Sequence, residues 1–243
     1  MAVPLSFLFQ ADPNFVAILT MGLLFLEFLF LVRLWGKKVY QEANIWQKYG
    51  LFFNSKGYIL LVKGLAIGLG FTWGLFTVES FLGWVSFQST KVNLLRIITE
   101  GFISALGVGF AEELFFRGWL LDELQRDYTR KIAVWANALI FATLHFLKPL
   151  GEILRTLPQF PGLIILGLTL VWAKESARWR LSIAIGLHAG LVWGYYILNV
   201  GEIVTYTNRV SPWVTGVDGN PVAGLMGLFF LGILGFWFRR KLA

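Results

Sequence analysis

Long apolar stretches separated by short polar segments dominate the sequence. A helix that spans a bilayer needs about 20 mostly apolar residues. The pattern predicts seven such helices, at residues 15–32, 58–78, 94–121, 131–147, 160–173, 181–198 and 222–238. An eighth span is possible if residues 79–93 enter the membrane, and residues 149–162 (PLGEILRTLPQFPG) are typical of a turn or an interfacial segment. We therefore expect an all-α, polytopic transmembrane helix bundle, with residues 1–243 forming a single integral membrane domain.

The composition agrees with a membrane protein. Hydrophobic residues make up 57% of the chain and charged residues 14%, whereas a soluble domain carries about 25% charged residues. This excludes an ordinary soluble enzyme and a disordered chain. The chain has no cysteine, which excludes disulfides and a cysteine nucleophile. The first residues lack the basic start and cleavage site of a signal peptide, so we expect the N-terminus to be retained.

The basic residues indicate an orientation rather than a nucleic-acid partner, despite a net charge of +7. Of the 21 Lys and Arg, 14 lie between alternate pairs of predicted helices or at the C-terminus, and four lie on the opposite side. By the positive-inside rule the C-terminus is cytoplasmic and the N-terminus is outside. The 14 are Arg33, Lys37, Lys38, Lys48, Lys56, Arg126, Arg130, Lys131, Lys174, Arg178, Arg180, Arg239, Arg240 and Lys241.

Glycines at four-residue spacing occur in two of the predicted helices. They are Gly64 and Gly68 in the second helix, and Gly186, Gly190 and Gly194 in the sixth. Small residues at this spacing let membrane helices approach closely. The pattern predicts tight helix packing and indicates nothing about activity.

The third predicted helix contains an acidic pair and an arginine, Glu112, Glu113 and Arg117. A charge at mid-membrane costs roughly 2.5–3.5 kcal/mol on insertion scales, so each needs a structural or functional reason. Glu113 and Arg117 are four residues apart on one helix face and can pair. Glu112 points elsewhere and is a candidate general base. The alternative is a structural Glu–Arg pair, with Glu112 facing a water-filled cleft.

The two histidines of the chain, His145 and His188, lie in two other apolar helices. A lone intramembrane histidine is usually a helix–helix hydrogen bonder, but two histidines and an acidic pair on three helices form a plausible converging site. His188 lies opposite the face of Gly186 and Gly190. Counted from the predicted helix ends, Glu112, His188 and His145 lie roughly 14, 10 and 21 Å deep, so His145 is the outlier.

These motifs together resemble the CPBP family, which comprises CAAX prenyl proteases and bacteriocin-processing or immunity proteins (the Abi family). The resemblance covers about residues 95–200. It consists of Glu112-Glu113-x-x-x-Arg117, Phe141-x-x-x-His145 and a later His188-Ala, in order on successive helices. It implies a glutamate-dependent intramembrane endopeptidase that cleaves a peptide or membrane-anchored protein near the membrane boundary. Glu112 would activate water with His145, His188 would help to hold the oxyanion, and Glu113, Arg117 and Phe141 would support the site.

One position departs from the family pattern. The third motif often continues to Asn or Asp four residues after the histidine, where this chain has Val192. Loss of an oxyanion donor can cost about 10²–10³ in rate, and neither Asn137 nor Asn199 can be shown to replace it. The departure favours the alternative of a non-proteolytic CPBP-like adaptor or immunity protein. A third possibility, a transporter with a proton relay, lacks the inverted repeat typical of that class.

A metal is a further open question. Glu112, His145 and His188 could hold a catalytic zinc ion, but they lie on three helices without the compact His-Glu-x-x-His spacing. We expect a metal-free site without a cofactor, with zinc held by these three residues as the alternative.

Overall fold

The computed structural model describes residues 13–242. The expectation of a retained N-terminus concerns residues outside this range. The chain divides after Lys48 into two units. The first contains helix α1 (Pro13–Lys38) and a short helix α2 (Ile45–Lys48).

The second unit begins at Tyr49 and contains the remaining elements. Its first half consists of α3 (Ser55–Phe81), strand β1 (Val85–Phe87), α4 (Leu94–Glu113), a π-helix (Leu114–Leu120), α5 (Leu121–Asp127) and α6 (Arg130–Leu144). Its second half consists of α7 (Leu150–Thr156), a 3₁₀ turn (Leu157–Gln159), α8 (Phe160–Ser176), α9 (Ser182–Asn199), β2 (Val204–Tyr206), α10 (Pro212–Thr215), two further 3₁₀ turns (Val217–Gly219 and Pro221–Ala223) and α11 (Leu225–Arg240).

Each predicted span coincides with a helix, which confirms an all-α membrane protein. Four helical stretches in the described part of the chain are long and apolar enough to cross a membrane, at residues 19–38, 55–81, 94–127 and 150–176. The total of seven spans stays a prediction, as does the single-domain organisation.

The two less regular segments take definite forms. Residues 79–93 do not form an eighth span, because they contain β1, which pairs antiparallel with β2. Residues 149–162 contain α7 and the following 3₁₀ turn.

The glycines that predicted tight packing lie at the contact between α3 and α9. A Cβ added at Gly64 would lie 2.3 Å from the carbonyl oxygen of Ile183, and one added at Gly186 would lie 2.0 Å from that of Leu61. Successive contacts advance together along both helices, so the two run parallel with their backbones touching. Side-chain-free positions at this spacing are what permit such an approach.

We expect Gly68→Ala to destabilise the protein by about 1–3 kcal/mol, the range for overpacking a close contact. Its added Cβ would lie 2.3 Å from the carbonyl oxygen of Leu187, which is backbone and cannot move aside. Gly70→Ala is the matched control, because a Cβ there meets no atom within 4 Å. Thermal unfolding in detergent should show a lower midpoint for Gly68→Ala and an unchanged or higher midpoint for Gly70→Ala. Equal midpoints for the two variants would contradict the backbone contact.

The loops that the charge pattern assigns to one side meet at one end of the second unit. Arg180 donates to the side chain of Asn54 at 3.3 Å, and the Nε of Arg130 donates to Glu175 at 2.8 Å. At the other end, Arg155 pairs with Asp218. The predicted alternation of loops therefore agrees with the fold, while the assignment of either end to the cytoplasm stays a prediction.

Candidate active site

The site is built where α4 widens into the π-helix Leu114–Leu120, directly after Glu112 and Glu113. Such turns are rare and occur frequently at functional sites. The fold places α4 against α9, since a Cβ added at Gly109 would lie 3.1 Å from the backbone nitrogen of Ala189. This contact brings the acidic pair level with His188.

Glu113 and Arg117 form the predicted ion pair, and both side chains are fully buried. The Nη1 of Arg117 lies 2.9 Å from the Oε1 of Glu113, and its Nη2 donates to the carbonyl oxygen of Gly167 at 3.3 Å. The same Oε1 lies 2.9 Å from the Nδ1 of His188. Glu113 therefore links the arginine to the histidine and holds the imidazole in one orientation.

Phe141 and His145 form a second supported unit on α6. The Nδ1 of His145 lies 2.7 Å from the carbonyl oxygen of Phe141, so this nitrogen carries the proton and donates. The buried ring of Phe141 packs edge-on to the imidazole of His145, with centroids 4.6 Å apart. The Cζ of Arg117 also lies close to this ring, 4.2 Å from its centroid. Phe141 therefore lies between His145 and Arg117.

Glu112 faces both histidines. Its Oε2 lies 3.9 Å from the Nε2 of His145 and 4.0 Å from the Nε2 of His188. This oxygen accepts no hydrogen bond from any described residue, and the side chain is 31% exposed. Both Nδ1 atoms are engaged elsewhere, so both Nε2 atoms point toward the one carboxylate oxygen. The structure brings together all three residues that the sequence singled out for catalysis.

The order and geometry of these motifs agree with a comparison against protein families. Residues 94–207 match the family described as "Type II CAAX prenyl endopeptidase Rce1-like". This match covers just under half of the chain, and it supports the CPBP family of CAAX proteases and, in general, a CAAX-type intramembrane protease. Searches of curated proteins and of solved structures gave no match.

The predicted helix ends placed His145 deeper than Glu112, whereas the structure places both at a similar distance along their helices. The helical path that contains Glu112 continues to Asp127 rather than ending at residue 121. Asp127 lies 15 residues beyond Glu112, and His145 lies 15 residues beyond Arg130, so both are the same number of residues from that end. His188 lies only six residues into α9, and the residue before this helix, Leu181, is fully buried.

A cavity of about 250 Å³ adjoins the two CPBP histidines. Val192 lines it, one helical turn beyond His188, in the place where the family often has an amide or acid. Neither asparagine considered from the sequence lines this cavity. Asn137 donates to the carbonyl oxygen of Phe116 at 2.6 Å, and Asn199 donates to the hydroxyl of Tyr195 at 2.6 Å.

Two features of the CPBP site were missed from the sequence. Asn220, in the loop after α10, lines the cavity from a part of the chain outside the family motifs. Lys174 was wrongly placed in a loop among the orienting charges. It lies within α8, only 4% exposed, and its Nζ donates to the carbonyl oxygen of Arg117 at 2.6 Å. In the sequence, Lys174 directly follows the apolar run of α8. A buried lysine and an exposed lysine at a helix end both occur at such a position, so the sequence does not distinguish them.

The fit of a metal ion can be judged from the donor atoms. Tetrahedral zinc with bonds of about 2.0–2.2 Å places neighbouring donors roughly 3.3–3.5 Å apart. The two Nε2 atoms lie 3.9 and 4.0 Å from the Glu112 oxygen, which is longer. Within residues 13–242, no group of three His, Asp or Glu side chains has a geometry that could hold a metal ion.

Proposed function

We propose that this protein is an intramembrane endopeptidase that cleaves a peptide bond near the membrane boundary, with Glu112 as the general base. The observation that supports it most is the convergence of both Nε2 atoms on the Oε2 of Glu112, at 3.9 and 4.0 Å. A water molecule with hydrogen bonds of about 2.7–3.0 Å can bridge groups at this separation. The spacing therefore suits a water between base and imidazole.

In the proposed reaction, His145 orients the water by accepting a hydrogen bond at its Nε2, because its Nδ1 donates to Phe141. Glu112 takes one proton from the water as the oxygen attacks the substrate carbonyl carbon. The protonated Glu112 then gives that proton to the leaving amine when the carbon–nitrogen bond breaks. The products are a carboxylic acid and an amine, and Glu112 returns to its ionised state.

His188 has the geometry of an oxyanion stabiliser. In its doubly protonated form it donates through Nδ1 to Glu113 and presents an Nε2–H toward the reacting carbonyl oxygen. The carboxylate of Glu113 accepts the hydrogen bond from Nδ1, and Arg117 in turn pairs with that carboxylate. Donors aimed at a developing oxyanion are among the largest contributors to acyl-transfer catalysis.

The cavity beside the histidines indicates the chemistry of the substrate. Its lining is mainly apolar and includes leucines and phenylalanines from several helices, among them Phe71, Leu75, Leu163, Leu166, Leu191 and Phe230. Such a surface favours apolar side chains next to the scissile bond. The proposed partner is therefore a peptide or membrane-anchored protein with an apolar segment, presented from the bilayer.

A second candidate function is a non-proteolytic membrane adaptor or immunity protein. The specific observation that favours it is Val192, which lines the cavity and has no donor to offer an oxyanion. In that case the cavity would bind a peptide without cleaving it. Turnover of a peptide distinguishes the two functions.

The deciding experiment is cleavage of a peptide library by the purified protein in detergent or nanodiscs, with Glu112→Gln alongside. We expect products from peptides with an apolar stretch, in amounts that increase with wild-type enzyme and not with the variant. Binding of such peptides without product formation would favour the adaptor.

We also propose that catalysis needs no metal, and we predict that it survives chelation. The donor separations of 3.9 and 4.0 Å support water activation by Glu112 and His145 rather than tetrahedral zinc. Peptide cleavage should be unchanged by phenanthroline, and the purified protein should contain well under one equivalent of zinc. Loss of activity on chelation, with recovery on adding Zn²⁺ and loss of bound zinc in His145→Ala and His188→Ala, would establish the zinc alternative at the same residues.

A further inference from the structure

The π-helix Leu114–Leu120 has two adjacent carbonyl groups bound by side chains from other helices. Asn137 on α6, which is fully buried, donates to the carbonyl oxygen of Phe116 at 2.6 Å. Lys174 on α8, 4% exposed, donates through Nζ to the carbonyl oxygen of Arg117 at 2.6 Å. A widened turn perturbs the regular ladder of helix hydrogen bonds, and buried carbonyls require partners.

Lys174 belongs to a class of residue that needs a specific reason to be buried. Lysine is almost never fully buried unless paired. Its ammonium contacts the backbone of Arg117, the residue whose guanidinium binds Glu113 and the carbonyl of Gly167. Arg117 is therefore held at both its backbone and its side-chain end by groups of α8.

This chain of contacts leads to the candidate catalytic residues. Lys174 holds Arg117, Arg117 binds the Oε1 of Glu113, and that oxygen lies 2.9 Å from the Nδ1 of His188. The Nε2 of the same imidazole faces Glu112 at 4.0 Å. A displacement of the π-helix would move the Glu113 carboxylate and rotate His188.

We infer that Lys174 is a positioning residue, assisted by Asn137: its hydrogen bond to the π-helix sets the orientation of Glu113 and His188. The inference rests on the proposed endopeptidase function. It assigns to Lys174 a role in turnover, beyond the packing of α8.

The kinetic test compares Lys174→Met, which keeps the length and removes the donor, with Lys174→Arg, which keeps a donor. Lys131→Met is the matched control, since Lys131 is an exposed lysine near the same helix ends. A misplacement of about 1 Å can cost 10²-fold in rate. We expect kcat of Lys174→Met to fall about 10- to 100-fold per folded protein with KM within twofold. Lys174→Arg should recover most of that loss, and Lys131→Met should match wild type.

A spectroscopic test reads the same geometry without activity. The chain has two histidines, so ¹⁵N-histidine labelling gives two pairs of ring-nitrogen signals, and His145→Gln assigns them. We expect the chemical shifts of the His188 ring nitrogens to change in Lys174→Met and to stay unchanged in Lys131→Met. If Lys174→Met does not fold, Asn137→Leu replaces it, with the same change expected.

The outcomes separate the two proposals. A wild type that cleaves no peptide refutes the proposed function. An active wild type with unchanged kcat in Lys174→Met, or unchanged His188 resonances in a folded donor-less variant, refutes the positioning role alone. A loss of activity that matches the loss of folded protein, without rescue by Lys174→Arg, would also overturn it in favour of simple packing.

Discussion

Replacing Glu112 by glutamine is expected to lower the rate of peptide cleavage by about 10²–10⁴-fold, the usual contribution of a positioned general base. Glutamine has nearly the same shape but cannot take a proton from water. The Oε2 of Glu112 accepts no hydrogen bond from any described residue, so the change removes no hydrogen bond at this oxygen. Initial rates with purified variant should fall while the thermal midpoint in detergent stays within a few degrees of wild type.

Glu100→Gln is the matched control for Glu112→Gln. Glu100 lies on the same helix, but its side chain is 46% exposed and paired with Arg96. We expect wild-type rates for this control. Wild-type turnover by Glu112→Gln as well would refute the assignment of the base. A thermal midpoint that fell with the rate would instead indicate a structural carboxylate.

Replacing Arg117 by alanine is expected to cost about 3–5 kcal/mol of stability, the range for breaking a buried ion pair. It would leave Glu113 charged in an interior where both side chains are fully buried. It would also remove the guanidinium from the carbonyl of Gly167 and from the ring of Phe141. Glu113→Ala should lower the stability by a similar amount. Both variants should lose activity, because Glu113→Ala removes the contact of His188 with Glu113 and Arg117→Ala removes the arginine that holds Glu113. Thermal unfolding and the yield of monodisperse protein measure the effect.

The same helix offers a matched pair for comparison. Arg96 and Glu100 have the same four-residue spacing, but their side chains are 71% and 46% exposed. Solvent screens exposed pairs of this kind, so Arg96→Ala should barely change the midpoint. Removing both charges in Glu113→Gln with Arg117→Met should restore part of the stability lost in Arg117→Ala. Equal effects of Arg117→Ala and Arg96→Ala would show that the buried pair contributes no more than the exposed one.

Local periodicity determined what the sequence could reveal. The spacing of apolar residues predicted the helices because a membrane span must satisfy its backbone within one continuous segment. The four-residue spacing predicted both close helix packing at the glycines and the pairing of Glu113 with Arg117, since residues four apart share a helix face. Both features depend on residues that lie close together in one helix, so the sequence contains them. The spacing did not predict which helices meet at the glycines.

Only the tertiary structure decided how the helices bring the site together. The convergence of His145 and His188 on one oxygen of Glu112 depends on helix crossings and on the true end of the Glu112 helix at Asp127. The burial of Lys174 depends on the π-helix, whose carbonyl at Arg117 it binds. A lysine at a helix end reads the same in sequence whether it faces water or a neighbouring backbone. Its environment is set by residues more than 50 positions away, and no local pattern contains them.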